Sequence, residues 1–340
     1  MCFLSGMAQA QNPRSGAPAL SPGPHRVVST PSRKLSITIT HNLPPTRGVV
    51  IVPLPPDTVS QRIVSFNLFV GGKERLREVS ELDLSPLKKP LRAVHVNQPT
   101  GGQAVVRMEV DLFAAALERG LPARPVPPLE RAERAALLAA EEYYEYNTPF
   151  FRDWMKKHDL MRTPSERDAD FAFRILGFLR RYFVYKIPDE KYMQARIAQR
   201  KTGEIGFFCA EKSAECWGLS RIYTCALRAN GIPCRQVSGF ILPDKPRDEP
   251  GHHVRVQVHL PSTGWILVEV AGAVTAKDAP LTTFFCCRGD DMVLMCRGVG
   301  YQLPGPKTPG RIGTFSGFAF GRVNGDWSYP YGKWKIHDRN

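Results

Sequence analysis

The sequence predicts an α+β protein in two parts: a β-sandwich over residues 34–119, then helices packed against an antiparallel sheet over 129–300. Three observations predict it. Apolar residues alternate with period two through the first part, a proline-rich stretch interrupts the chain, and helical periodicity takes over beyond it. At 340 residues the chain is long enough for two cores. A hydrophobic fraction of 43% with 23% charged residues excludes a disordered or fibrous chain. No apolar run approaches the ~20 residues of a membrane helix.

In chain order, residues 1–33 read as a flexible leader, with 11–33 rich in Pro, Ser and Gly. Within it, Met1 to Met7 is a short apolar run followed by Ala8-Gln9-Ala10, which reads like the end of a secretory signal with an A-x-A cleavage site but no basic n-region. On that reading the protein is exported to the periplasm or beyond; if the run is a plain tail, the protein is cytoplasmic. Leu35, Ile37 and Ile39 then alternate with Ser36, Thr38 and Thr40, the period of a half-buried strand. Val49–Leu54, Arg62–Phe69 and Ala104–Leu112 are further strand-like runs, separated by Pro, Gly and Asn. Residues 120–128, with four prolines in nine positions, form a stiff linker. Leu129 to Tyr146 is helical in composition, and Thr163-Pro164-Ser165-Glu166 reads as a capping box. It opens a helix with Phe171, Ile175, Phe178, Leu179 and Tyr182 on one face. The aromatic and glycine-rich residues 301–340, among them Phe315, Phe318, Phe320, Trp327, Tyr329, Tyr331 and Trp334, are expected to pack on the core of the second part.

Chemistry concentrates in the second part. Seven of the eight cysteines fall between Cys209 and Cys296, without a C-x-x-C pair to suggest zinc or thioredoxin-like chemistry. With Ser213 as N-cap, Cys216 stands in the first turn of a helix whose apolar stripe is Leu219, Ile222, Tyr223, Ala226 and Leu227. There the unpaired amide N–H groups and the helix dipole favour a thiolate, the nucleophilic form. Downstream, His253 to Leu260 alternates as a strand with His253 on its polar face, and Trp265, Leu267 and Glu269 share one side of the next. A three- or five-residue loop, or a bulge near Gly264, brings Glu269 to the face of His253; a plain four-residue loop opposes them. A cysteine, a histidine and a carboxylate are the parts of a thiol acyl-transfer triad. His252 points to the opposite strand face and no Cys or His recurs at ligand spacing, so neither metal nor cofactor is expected. Cys286-Cys287 reads as packing. The net charge of +14 permits an acidic surface or polymer as partner. Basic groups such as Lys88-Lys89 and Arg180-Arg181 are scattered, so nucleic acid is not an expected partner.

The string Cys216-Trp217-Gly218-Leu219-Ser220, followed by Ala226 to Arg235 and Gly239-Phe240, resembles the core of the transglutaminase-like superfamily. That family places its nucleophilic cysteine fifteen residues before a Gly-Ile-Pro-x-Arg element. Gly231 lies fifteen residues after Cys216, which selects Cys216 over Cys209 and Cys225. His253 to Pro261 is similar to the family's His-x-x-Val-x-Val-x-Leu-Pro strand, and Gly264-Trp265 to Glu269 to its Gly-Trp…Asp strand. The resemblance covers about 130–300, and bacterial members with a preceding β-sandwich extend it loosely over 34–115. It implies a papain-like transglutaminase core with Cys216 as nucleophile, His253 as general base and acid, and Glu269 as the orienting acid. It further implies a thioester formed on a protein or peptide amide, resolved by water more than by an amine. Three departures stand out: Glu269-Val270 for Asp-Pro, Arg255 for an aromatic, and Ala214-Glu215 for a glycine-containing pair before the nucleophile. They leave a catalytically inactive binding module on the same fold as the alternative.

Overall fold

The computed structural model describes residues 25–43, 48–53, 55–74, 93–98, 102–119, 126–141, 143–200, 202–242, 251–298, 301–303, 310–312, 319–322, 327–328 and 332–339. The Met1–Ala10 run, Lys88-Lys89, most of the proline-rich stretch, and Phe315, Phe318, Tyr329 and Tyr331 lie outside them. The N-terminal part consists of β1 (His25–Leu43), β2 (Gly48–Pro53), β3 (Gln61–Val70), β4 (Lys73–Glu74), β5 (Ala93–Gln98) and β6 (Gly102–Arg119). β1 and β6 pair antiparallel from His25 opposite Arg119 to Leu43 opposite Gly102, with one irregularity between Pro31 and Arg33. The alternation seen in sequence sends Leu35, Ile37 and Ile39 inward, where they join Val50, Val52, Leu68, Val106, Met108 and Val110 in one cluster. Burying each such side chain is worth roughly 1.5–3 kcal/mol. Residues 25–33, expected in the leader, belong to β1 instead. Backbone ladder bonds to β6 need no apolar side chain, so the polar Ser29 and Thr30 enter the strand without leaving a hydrophobic signal.

The second part runs α1 (Arg131–Leu138), α2 (Pro149–Lys157), α3 (Asp168–Tyr182), β7 (Val184–Tyr185), α4 (Glu190–Arg200), α5 (Glu204–Glu211), β8 (Ser213–Ala214) and α6 (Cys216–Ala229). It continues through β9 (Cys234–Ile241), β10 (Gly251–Leu260), β11 (Gly264–Val268), α7 (Val270–Thr275) and β12 (Met292–Arg297). The antiparallel sheet has the order β11-β10-β9-β12. Leu219, Ile222, Tyr223, Ala226 and Leu227 of α6 share one buried cluster with Val256, Val258, Ile266 and Val268 of the sheet, as the two apolar periodicities require.

Two helix boundaries differ from expectation. α1 stops at Leu138 instead of reaching Tyr146, because buried Arg228 of α6 donates to the Ala139 carbonyl at 2.8 Å and lies 3.9 Å from the Tyr144 ring. α3 begins at Asp168 instead of the Thr163–Glu166 box. There the Glu166 N–H bonds Thr163 O as a turn, and the Glu166 carboxylate takes Nε and Nη2 of Arg174 at 2.7 and 2.8 Å. An ion pair to the body of the same helix thus displaces the local cap.

The tail forms β13 (Tyr301–Leu303), β14 (Gly310–Ile312), β15 (Ala319–Arg322), β16 (Trp327–Ser328) and β17 (Lys333–Asp338). Contrary to expectation, it returns to the N-terminal sheets. β17 pairs with β1, giving the order β17-β1-β6-β3-β4, and β15 pairs with β2 in the sheet β16-β15-β2-β5. An unpaired β1 edge takes up a strand more readily than a covered helical core does. The Trp334 ring of β17 lies tilted against Phe240 of β9, with centroids 4.0 Å apart, so the tail also touches the second part. Buried Gln61 of β3 joins the parts further: Nε2 donates to Leu294 O and Oε1 accepts from Leu294 N, each at 2.8 Å, replacing a strand partner. Gly239 of β9 explains itself here, since a Cβ would stand 1.9 Å from Val293 O of β12.

Candidate active site

The start of α6 sets the nucleophile. Glu215 is the N-cap, with extended backbone and its Oε1 accepting from Gly218 N–H at 3.0 Å, so Cys216 is the first helical residue. Ser213, the expected N-cap, sits instead in β8, paired in parallel with β7. The cysteine still lies among the free N–H groups of the helix start, half-buried beside Tyr185 and His253.

The base and acid come from the hairpin. β10 and β11 pair from Leu260 opposite Gly264 to Val256 opposite Val268, across the three-residue loop 261–263 that closes at Gly264 with φ of +81°. This is one of the loop lengths that keep His253 and Glu269 on one face. Continuing the register puts position 269 opposite Arg255, with His253 two residues further along the same side. His253 Nε2 lies 2.7 Å from Glu269 Oε2. Arg255 Nε donates to the same oxygen at 2.5 Å, and Gly272 N–H donates to Oε1 at 3.0 Å, because Glu269 also caps α7. With Nε2 on the carboxylate, Nδ1 is the ring nitrogen left for the neighbouring Cys216 thiol.

The electrostatics follow. Burial works against a charged His253, but the hydrogen bonds and charges of Cys216 and Glu269 outweigh it and push the imidazole up to about 9. Burial likewise opposes a charged Glu269, and the His253 bond with the Arg255 charge overcomes it, holding the carboxyl at about 2. The other cysteines among the described residues are buried. Burial pushes the Cys225, Cys234 and Cys286 thiols up to about 12 and those of Cys209 and Cys287 up as well, which leaves them unreactive. His252, the sequence neighbour, packs edge-on to Phe240 and is pushed down to about 4 by burial and by the charge of His253.

Two further groups belong to the site. The Tyr185 side chain stands beside Cys216, whose backbone amide and thiol both act on its hydroxyl. It arrives through the parallel β7–β8 pair, Val184 opposite Ser213 and Tyr185 opposite Ala214, a contact between distant segments that no local pattern announces. Arg255 bonds Glu269 and, through Nη1 and Nη2, Asp291 at 2.8 and 2.6 Å. Its alternation with His253 put it on the right face, but the loop length that aligns it with 269 was open.

Residues 154–270 match the family model of the transglutaminase-like superfamily. The segment is a transglutaminase-like domain. It contains Cys216, His253 and Glu269 and spans α6, the β10–β11 hairpin and the cap of α7. No curated protein matches the chain in sequence. The crystal structure of a candidate cysteine protease from Cytophaga hutchinsonii is similar, with a TM-score of 0.53 and 13% identity over 93% of this chain and 94% of that one. This likeness extends the shared fold beyond the transglutaminase-like domain. The periplasmic domain of TgpA from Pseudomonas aeruginosa aligns at a TM-score of 0.38 and 14% identity over 74% of this chain and 95% of that one. Among the described residues no helix is long and apolar enough to cross a membrane.

Proposed function

We propose that this chain is a thiol-dependent acyl-transfer enzyme acting on peptide or glutamine-type amide carbonyls, and that it hydrolyses them more than it cross-links them. The observation that carries the reading is the placing of Cys216, at the start of α6, beside His253, whose Nε2 lies 2.7 Å from Glu269 Oε2. In this scheme Cys216 and His253 form a thiolate–imidazolium pair. The thiolate attacks the carbonyl carbon, and the oxygen gains negative charge beside the Cys216 amide, with the Tyr185 hydroxyl as a second donor. The imidazolium gives its proton to the departing amine or ammonia, leaving a thioester and a neutral imidazole. His253 then takes a proton from water, the hydroxide adds to the thioester, and the acid leaves as the thiolate–imidazolium pair re-forms. Glu269 keeps one ring orientation throughout and stabilises each imidazolium. The candidate cysteine protease sharing the fold supports water as acceptor.

The test is alkylation by iodoacetamide followed by peptide mapping. Cys216 labels well ahead of the buried cysteines, and His253→Ala removes that preference. Equal, slow labelling of all thiols would instead leave an inactive binding module.

A further inference from the structure

Arg255 is 4% exposed, and its donors reach carboxylates from two different segments. Nε meets Glu269 Oε2 and the other two nitrogens fork onto Asp291, whose side chain is 54% exposed. A glutamate has three rotatable side-chain bonds, so its carboxylate keeps one place only if neighbours hold it. Gly272 N–H holds Oε1. Oε2, the oxygen that serves His253, has Arg255 as its second donor. Strand register makes that bond a consequence of the hairpin, because 255 and 269 face each other.

We propose that Arg255, anchored by Asp291, is a positioning residue that locks the Glu269 carboxylate onto His253 Nε2 and so sets the orientation of the imidazole toward Cys216. Its influence has two parts of opposite sign. Its positive charge disfavours a second cation on His253, whereas its bond to Glu269 keeps the carboxylate where it favours that cation. The groups facing this cluster are Cys216 of α6, His252 and His253 of β10, Glu269 ahead of α7, and Cys287 and Asp291 ahead of β12. If positioning outweighs charge, removing Arg255 lowers the pH at which His253 titrates. If Arg255 acts as a charge alone, its removal raises that pH.

The experiment follows the His253 ring protons by NMR across pH in wild type, Arg255→Gln, Arg255→Lys and Asp291→Asn, with thermal melts alongside. The expected result is a midpoint below the wild-type value in Arg255→Gln and a smaller fall in Asp291→Asn, where the anchor is weakened at a half-exposed position. Arg255→Lys keeps the charge but lacks the fork, and falls with Arg255→Gln. A midpoint that rises or stays in the folded variants overturns the proposal, and if Arg255→Gln fails to fold, the other two decide. The kinetic readout rests on the acyl-transfer reading: kcat falls about 10–100-fold in Arg255→Gln with KM within about twofold. Titration does not depend on turnover. A wild type that turns over nothing defeats the enzyme reading, while the NMR midpoints still judge Arg255.

Discussion

Replacing Glu269 with Gln preserves the size of the side chain and removes its charge. The carbonyl of the glutamine can still accept from Gly272 N–H, so the α7 cap survives. What is lost is the anion that accepts from His253 at 2.7 Å and Arg255 at 2.5 Å. His253 stands at about 9 against an ordinary 6.5 because Cys216 and Glu269 outweigh its burial. Without the Glu269 share, burial stands against Cys216 alone and the imidazole moves down from about 9. At pH 7.5 a midpoint returned to the ordinary 6.5 leaves about 9% of His253 charged against about 97% in the wild type, roughly a tenfold loss of the imidazolium before any loss of orientation is counted. Turnover at pH 7.5 therefore falls at least about tenfold. NMR titration of the His253 ring measures the midpoint directly, initial rates on a peptide amide measure the loss, and a thermal melt confirms the fold. A variant that folds, titrates near 9 and turns over at the wild-type rate would refute the assignment of Glu269 as the orienting acid.

Three other outcomes follow from the same contacts. The fold favours the protonated His253 by about 3 kcal/mol, a value belonging to the Cys–His–Glu unit as a whole. Because the folded-state value is raised, this stability is complete below about 6.5 and is lost as pH rises through about 9, so urea unfolding shows a decline over that window that His253→Gln lacks. Glu269 has the opposite sign: its contribution is present above 4.5 and disappears as pH falls through about 2, adding to acid unfolding. Tyr185→Phe keeps the ring and removes a donor beside the reacting carbonyl; kcat falls about 10–100-fold with little change in KM, as steady-state kinetics on a peptide amide would show. Gln61→Ala strands the buried N–H and C=O of Leu294 and costs about 2–4 kcal/mol, read from urea unfolding of the whole chain.

Most of the local elements were legible because their signals are local. Alternation marked the buried residues of β1 and β10, the stripe from Leu219 to Leu227 marked α6, and Gly231-Ile232-Pro233 marked its end. Elsewhere another group takes over the local signal, from the same neighbourhood or from far along the chain. Arg174 drew Glu166 away from its capping box, Arg228 drew the chain out of helix after Leu138, and Glu215 capped α6 in place of Ser213. Which part the tail joins is not legible in the sequence, because alternation tells which face of a strand is buried and says nothing about which edge it joins.

The site divides in the same way. The sequence by itself determined the residue types and their spacing: a cysteine at a helix start, a histidine on a polar strand face, and a carboxylate beyond a short loop. These are properties of periodicity, which the chain carries from residue to residue. Only the tertiary structure decided that the loop has three residues, that Arg255 therefore faces Glu269, that Asp291 anchors it, and that Tyr185 reaches Cys216. Those are contacts across a sheet or between strands distant in sequence, and their energies depend on burial and on neighbouring charge, which exist only once the chain has folded.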